Sequence, residues 1–159
     1  MIIALQYCDG FRHTLAWIRV GAFVHAEGGY TEAAWYSHAE GGWTKATGFY
    51  THAEGYNTHA QGYSTHVEGG ETCAYGSYSH AEGLATNSIG EYSHSEGKSS
   101  NTFKNLNSAG KIGLYTPIEE ILEVWENEGF KFSLSKGMAS HTEGENCLAL
   151  QNYSHAEGN

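Results

Sequence analysis

Histidine and glutamate recur two residues apart along much of this chain, within a phrase of the form Ser/Thr-His-Ala-Glu-Gly. The histidines of the phrase are His25, His38, His52, His66, His80, His94, His141 and His155. Imidazole and carboxylate at that spacing can trade a proton, ligate a metal or pair across an interface. Catalysis needs a single constellation in a pocket that shifts its pKa values, and a pair repeated this often is not single. No Gly-x-Ser-x-Gly elbow and no phosphate-binding glycine loop accompanies it. The sequence therefore predicts no enzyme in these residues. Zinc, nickel or iron would suit the imidazoles, with His52, Glu54, His80 and Glu82 as the candidate ligands. A ladder of hydrogen-bonded His-Glu pairs writes the same sequence, so no metal and no cofactor is the expectation.

The elements that carry these pairs follow from their period. From His52 to His94 the histidines stand fourteen residues apart, and so do His141 and His155. Halfway between them runs a looser version, as in Thr44-Lys45-Ala46-Thr47-Gly48, Thr72-Cys73-Ala74-Tyr75-Gly76 and Thr86-Asn87-Ser88-Ile89-Gly90. A fixed period decides architecture. Seven residues are too few for a helix pair, and a coiled coil fails because no heptad position carries Leu or Ile and each phrase holds a glycine. A short strand plus a turn fits. In Ser79-His80-Ala81-Glu82, alternation puts Ser79 and Ala81 on one face and His80 and Glu82 on the other. Gly83 then supplies the unusual backbone angle of the turn. Two such units close one coil, and coils stack at about 4.8 Å. The prediction is an all-β fold, a thin β-solenoid or parallel β-roll of fourteen-residue coils. Its flat interior has room for Ser, Thr and Ala, and Tyr36, Tyr50, Tyr78, Tyr92 and Tyr153 stack at the phrase boundary.

Composition narrows the function classes. Of 159 residues, 21 are glycine and one is proline, and a mean hydropathy of -0.48 leaves little for a thick core. Eighteen acids against eight bases give a net charge of -10, which disfavours nucleic acid and anionic membranes as partners. The ten histidines can turn positive in acid. Cys8, Cys73 and Cys147 form no disulfide framework. No run reaches the length of a membrane span, so no membrane insertion is expected, and the first residues do not read as a secretory leader. Tyr153-Ser154-His155-Ala156-Glu157-Gly158-Asn159 breaks off in mid-repeat, which reads as a piece of something longer. A calcium-binding roll is excluded by Asp9 being the only aspartate. An ice-binding face is excluded because Thr51, Thr58, Thr65, Thr72 and Thr86 fall on the inward parity.

The chain divides into an irregular segment 1–24, repeats over 25–103, an insertion over 104–138, and repeats again over 139–159. Between His25 and His38 the spacing is thirteen, which predicts a bulge or tight corner near Tyr30-Thr31-Glu32-Ala33-Ala34-Trp35. In the insertion, a helix is expected over about 117–128. Thr116 caps it, Pro117 takes the first position, Glu119 completes a capping box and Gly129 stops it. Ile118, Ile121, Leu122 and Trp125 fall on one apolar stripe, which packs against the roll or a neighbouring chain. Lys111-Ile112-Gly113-Leu114-Tyr115 and Phe130-Lys131-Phe132-Ser133-Leu134 read as flanking strands. Insertions into rigid scaffolds often carry binding.

The tandem units, with small residues inside and glycine at the corner, resemble the head repeats of trimeric autotransporter adhesins of the YadA-like, Hep/Hag type. The Ser-His-Ala-Glu-Gly wording is similar to that of bacteriophage and prophage tail-fibre and tail-spike proteins. The resemblance covers about residues 25–103 and 139–159. It implies a left-handed roll, a homotrimer about a common axis, and a rigid stalk or head on a virion tail or cell surface. Its partner would be a host cell-surface receptor or glycan. The alternative is the non-catalytic repeat part of a polysaccharide-processing or self-cleaving tail-spike protein.

A coil stack this thin buries too little alone, which itself argues for oligomerisation. In the family arrangement, the face pointing at the threefold axis is made by His38, Glu40, His52, Glu54, His66, Glu68, His80, Glu82, His94, Glu96, His141, Glu143, His155 and Glu157. A solvated face is the other reading, but it has no need of the same two residues in every coil. Such a trimer is expected to loosen in acid, where Glu becomes neutral and imidazolium groups repel.

Overall fold

The computed structural model describes residues 23–98, 119 and 133–158. Each half-phrase makes one short strand. In chain order these are β1 (His25–Gly29), β2 (Glu32–Ala33), β3 (His38–Gly42), β4 (Lys45–Ala46), β5 (His52–Tyr56), β6 (His59–Ala60), β7 (His66–Val67) and β8 (Cys73–Ala74). They continue as β9 (His80–Ala81), β10 (Thr86–Ser88), β11 (His94–Ser95), β12 (Ser133–Ser135), β13 (His141–Gly144), β14 (Leu148–Ala149) and β15 (His155–Gly158). The odd-numbered strands form one parallel sheet in chain order, and the even-numbered strands form a second. The fold is a parallel β-solenoid.

Register is phrase upon phrase. His38 pairs with His52, His52 with His66, His66 with His80 and His80 with His94. A slip by one residue would turn every histidine inward, so the small interior enforces this alignment. That interior is a stack of Ala33, Ala39, Ala46, Ala53, Ala60, Val67, Ala74 and Ala81. Thr51, Thr58, Thr65, Thr72 and Thr86 are buried beside it, on the parity read from the sequence. Hydroxyls close the corners. Ser79, Ser93 and Ser140 donate from Oγ to the carbonyls of Gly76, Gly90 and Gly137, each at 2.6 Å.

Glycine serves two different ends in these corners. Gly83 has φ 103°, the left-handed region anticipated for the turn. Gly76 needs no such angle, but a Cβ there would lie 2.0 Å from the carbonyl oxygen of Gly90 in the next coil. Left-handed backbone is not confined to glycine. Tyr50, Tyr78 and Tyr92 adopt φ of 58°, 58° and 57°, and Tyr30 and Trp43 do so at the opposite corner, at 60° and 62°. That conformation costs roughly 1–2 kcal/mol per residue. Coil-to-coil bonds such as Tyr78 N–H to the Tyr63 carbonyl (2.7 Å) hold it, and ring stacking adds to them.

The short first interval is taken up in one corner. β1 and β3 align His25 with His38, and β2 and β4 align Glu32 with Lys45. Ala34 therefore spans alone what Thr47 and Gly48 span in the next coil, and Ser37 N–H bonds to its carbonyl at 3.2 Å.

The ladder runs through the insertion unbroken. His94 pairs with His141, and Lys98 bridges to Glu145. Lys98 and Ser133 align with Leu84 and Thr86, which Ala85 alone joins in the preceding coil. One boundary read from the sequence is corrected: β12 already belongs to the second sheet, between β10 and β14, so the roll resumes by Ser133 and not at 139. Ser133-Leu134-Ser135-Lys136-Gly137 is the loose half-phrase again, disguised by Leu134 and Lys136. The helix expected over 117–128, with its stripe of Ile118, Ile121, Leu122 and Trp125, lies outside the described residues apart from Glu119, as does nearly all of segment 1–24.

The second sheet's outer face changes along its length. Lys45 is exposed there and His59 half-buried, but Cys73, Asn87 and Leu134 are shielded from solvent although alternation points them outward. This stretch of the face is covered. Among the described residues, no helix is long and apolar enough to cross a membrane.

Candidate functional site

The first sheet's outer face carries the repeated pair. Burial of Ser79 and Ala81 at 2% and 0% leaves His80 and Glu82 to point outward together. Because each strand lies directly over the next, the imidazoles form one column from His25 to His155. Neighbouring ring centroids are 4.6–4.8 Å apart. That is the spacing of the strands themselves. All fourteen residues expected at a chain–chain interface lie on this face.

Within a strand, His25, His38, His52, His66, His80 and His94 each face their own glutamate, whereas His141 stands 4.0 Å from Glu96 of the preceding coil. Nε2 to Oε2 is 3.5 Å for His38–Glu40, 3.7 Å for His52–Glu54, 3.5 Å for His66–Glu68, 3.6 Å for His80–Glu82 and 3.8 Å for His94–Glu96. Among the described residues, His25 and Glu27 make the closest such pair, at 3.4 Å. The Nε2 atoms of His38, His52, His66, His80, His94 and His141 are shut off from solvent and make no hydrogen bond. The side chains are nevertheless about two-fifths exposed, so it is the Nε2 edge of each ring that is withdrawn from solvent. At 3.5–3.8 Å the pairs of His38 to His94 are long for hydrogen bonds within one chain.

Stacking also sets the charge. Burial pushes the His52 imidazole below its ordinary value, and neighbouring His66 and His38 push it further, against the pull of Glu54 and Glu40. His80 is lowered for the same reasons, burial first and then His94 and His66, opposed by Glu82 and Glu68. Both are neutral imidazoles at neutral pH. The facing carboxylates thus meet nitrogen lone pairs or N–H groups more than cations, and as ion pairs would add little at this exposure.

The metal candidates divide. His80 and Glu82 come together with His94, one donor atom from each lying within 4.8 Å of the others, while among the described residues His52 and Glu54 gather no third donor. His141, Glu143 and His155 make a second such cluster, which the sequence reading did not single out. The signal was present in the period, which places the next coil's histidine directly over each pair.

Aromatic rings make further columns at the corners. Tyr36 stacks on Tyr50 at 5.0 Å and 18°, and Tyr78 on Tyr92 at 5.2 Å and 3°. Where Ser64 takes the stacking position, Tyr63 fills in edge-on against Tyr50 and Tyr78. Tyr30 stacks on Trp43 at 4.2 Å. These rings are roughly half exposed, yet their faces are occupied by one another, so the surface they offer is a strip of ring edges.

No protein-family model, no curated protein and no solved structure matches this chain.

Proposed function

We propose that this chain is a structural and adhesive fibre segment, part of a phage tail fibre or a bacterial surface adhesin, contributing to attachment to a host or surface. The observation that carries the reading is the unbroken stacking of identical coils. Eight strands in one parallel sheet make a rod roughly 34 Å long, and the outward chemistry of that sheet is the same from layer to layer. A rod suits spanning and presenting. Its insertion at one corner, bearing the expected helix of 117–128, is a natural place for a receptor or glycan contact.

In this reading the roll is left-handed and three copies pack about a common axis, with the His/Glu column inside. A thin core of alanines and the exposed corner aromatics both favour such an assembly. Multi-angle light scattering at neutral pH tests it. A mass of three chains is the expected result, and a single-chain mass would overturn the threefold arrangement. For attachment, fluorescently labelled chain is offered to a panel of bacterial cells and purified surface polysaccharides. Saturable binding supports the fibre reading, whereas cleavage of a glycan or of the chain itself would move it to the tail-spike class.

A further inference from the structure

We infer that the first sheet carries two sites for a first-row divalent cation of the zinc class, one built by His80, Glu82 and His94 and one by His141, Glu143 and His155. These are the two places, among the described residues, where three such donors converge within 4.8 Å. The inference stands apart from the fibre reading, because each site draws all its donors from one chain.

Three observations support it. The donor set is two imidazole nitrogens and a carboxylate oxygen, which zinc takes readily, with the fourth position left to water or a further ligand. The spacing is close to what is needed: donors around a tetrahedral zinc stand roughly 3.3 Å apart, from bond lengths of about 2.0–2.1 Å, and His80 Nε2 lies 3.6 Å from the Glu82 carboxylate. Binding asks more of the rings: His80 and His94 lie nearly parallel at 4.8 Å and are also packed on His66 and His141, so at least one imidazole must rotate out of the stack to bring its in-plane lone pair onto the shared ion. The Nε2 atoms of His80, His94 and His141, like those of His38, His52 and His66, are desolvated without a hydrogen bond, which native folds seldom tolerate unless something else engages the nitrogen. The surrounding glutamates and the net charge of -10 draw cations to the face.

The test uses the whole chain without a polyhistidine tag. Cobalt(II) is titrated in while its visible d–d absorption is followed, since strong bands report tetrahedral coordination. Bound zinc is counted separately after equilibrium dialysis. Two ions per chain with strong cobalt bands are expected, falling to one in His80→Ala and to none when His141→Ala is added. Glu82→Gln keeps the stack and its volume, and should weaken one site by about tenfold or more. His52→Ala should leave both sites intact, and far-ultraviolet circular dichroism checks that each variant folds. No bound ion would overturn the inference. So would ions that persist in the double variant or bind without cobalt bands, marking an adventitious ion only.

Discussion

The two outer faces of the roll share one interior and have opposite surfaces. On the first sheet every coil shows the same His and Glu, half-exposed. On the second, the aligned positions read Glu32, Lys45, His59, Cys73, Asn87, Leu134 and Leu148, and solvent is lost partway along. The coil itself needs only small inward residues and a glycine at the corner, so it permits either surface. Repetition on the first face therefore reflects something every layer does alike, and variety on the second reflects local packing.

The strongest way to break the comparison is to damage what both faces share. Gly76→Ala would drive a Cβ to 2.0 Å from the next coil's backbone, and a loss of about 4 kcal/mol or more is expected. Urea denaturation measures it. Next comes the covered stretch of the second face. Leu134→Ala, at a fully buried position, should cost about 3 kcal/mol. A loss under about 0.5 kcal/mol, the range of surface substitutions, would mean that this stretch is not packed.

Acid should act on the first face. His52 is lowered in the fold by its burial and by His38 and His66, against Glu40 and Glu54. The unfolded chain therefore binds protons first as pH falls below the ordinary histidine value of 6.5. Stability is whole above that value and declines as pH falls through the folded value. Denaturation midpoints at about pH 7.5 and about pH 5 should differ in that direction, and less so in His52→Ala. Smallest of all, Glu68→Gln should change stability by under about 0.5 kcal/mol, because half-exposed pairs at 3.5 Å add little. A large loss would give that face a packing role and erase the contrast.

Much of the roll was legible because alternation and period act through the chain alone. Ser79-His80-Ala81-Glu82 sorts itself inward and outward, and Gly83 declares its turn. What sequence does not write is the distance to the next coil. Gly76 and Gly83 are the same letter, though one is required by a backbone angle and the other by a neighbouring carbonyl. Tyr78 and Tyr92 in left-handed backbone were equally hidden, since that region ordinarily selects glycine and their compensation comes from other coils. The strand at Ser133-Leu134 was read from the sequence but assigned to the insertion and not to the roll, because Leu134 departs from the small and polar residues of the loose half-phrase. At the His/Glu column the residues and their face were readable. The depressed imidazoles were not, because they depend on burial and stacking in three dimensions; the third donor at each metal cluster lay in the period but shows itself only once the coils are stacked.

The corner between Lys98 and Ser133 is in effect a cargo port. Hydrogen bonding continues from β11 to β13 and from β10 to β12 as if the intervening chain were a single residue. A foreign peptide or small domain spliced there would ride on the rod without asking any coil to change its partner. Equally, the rod could be lengthened by whole coils on either side while that port keeps its address.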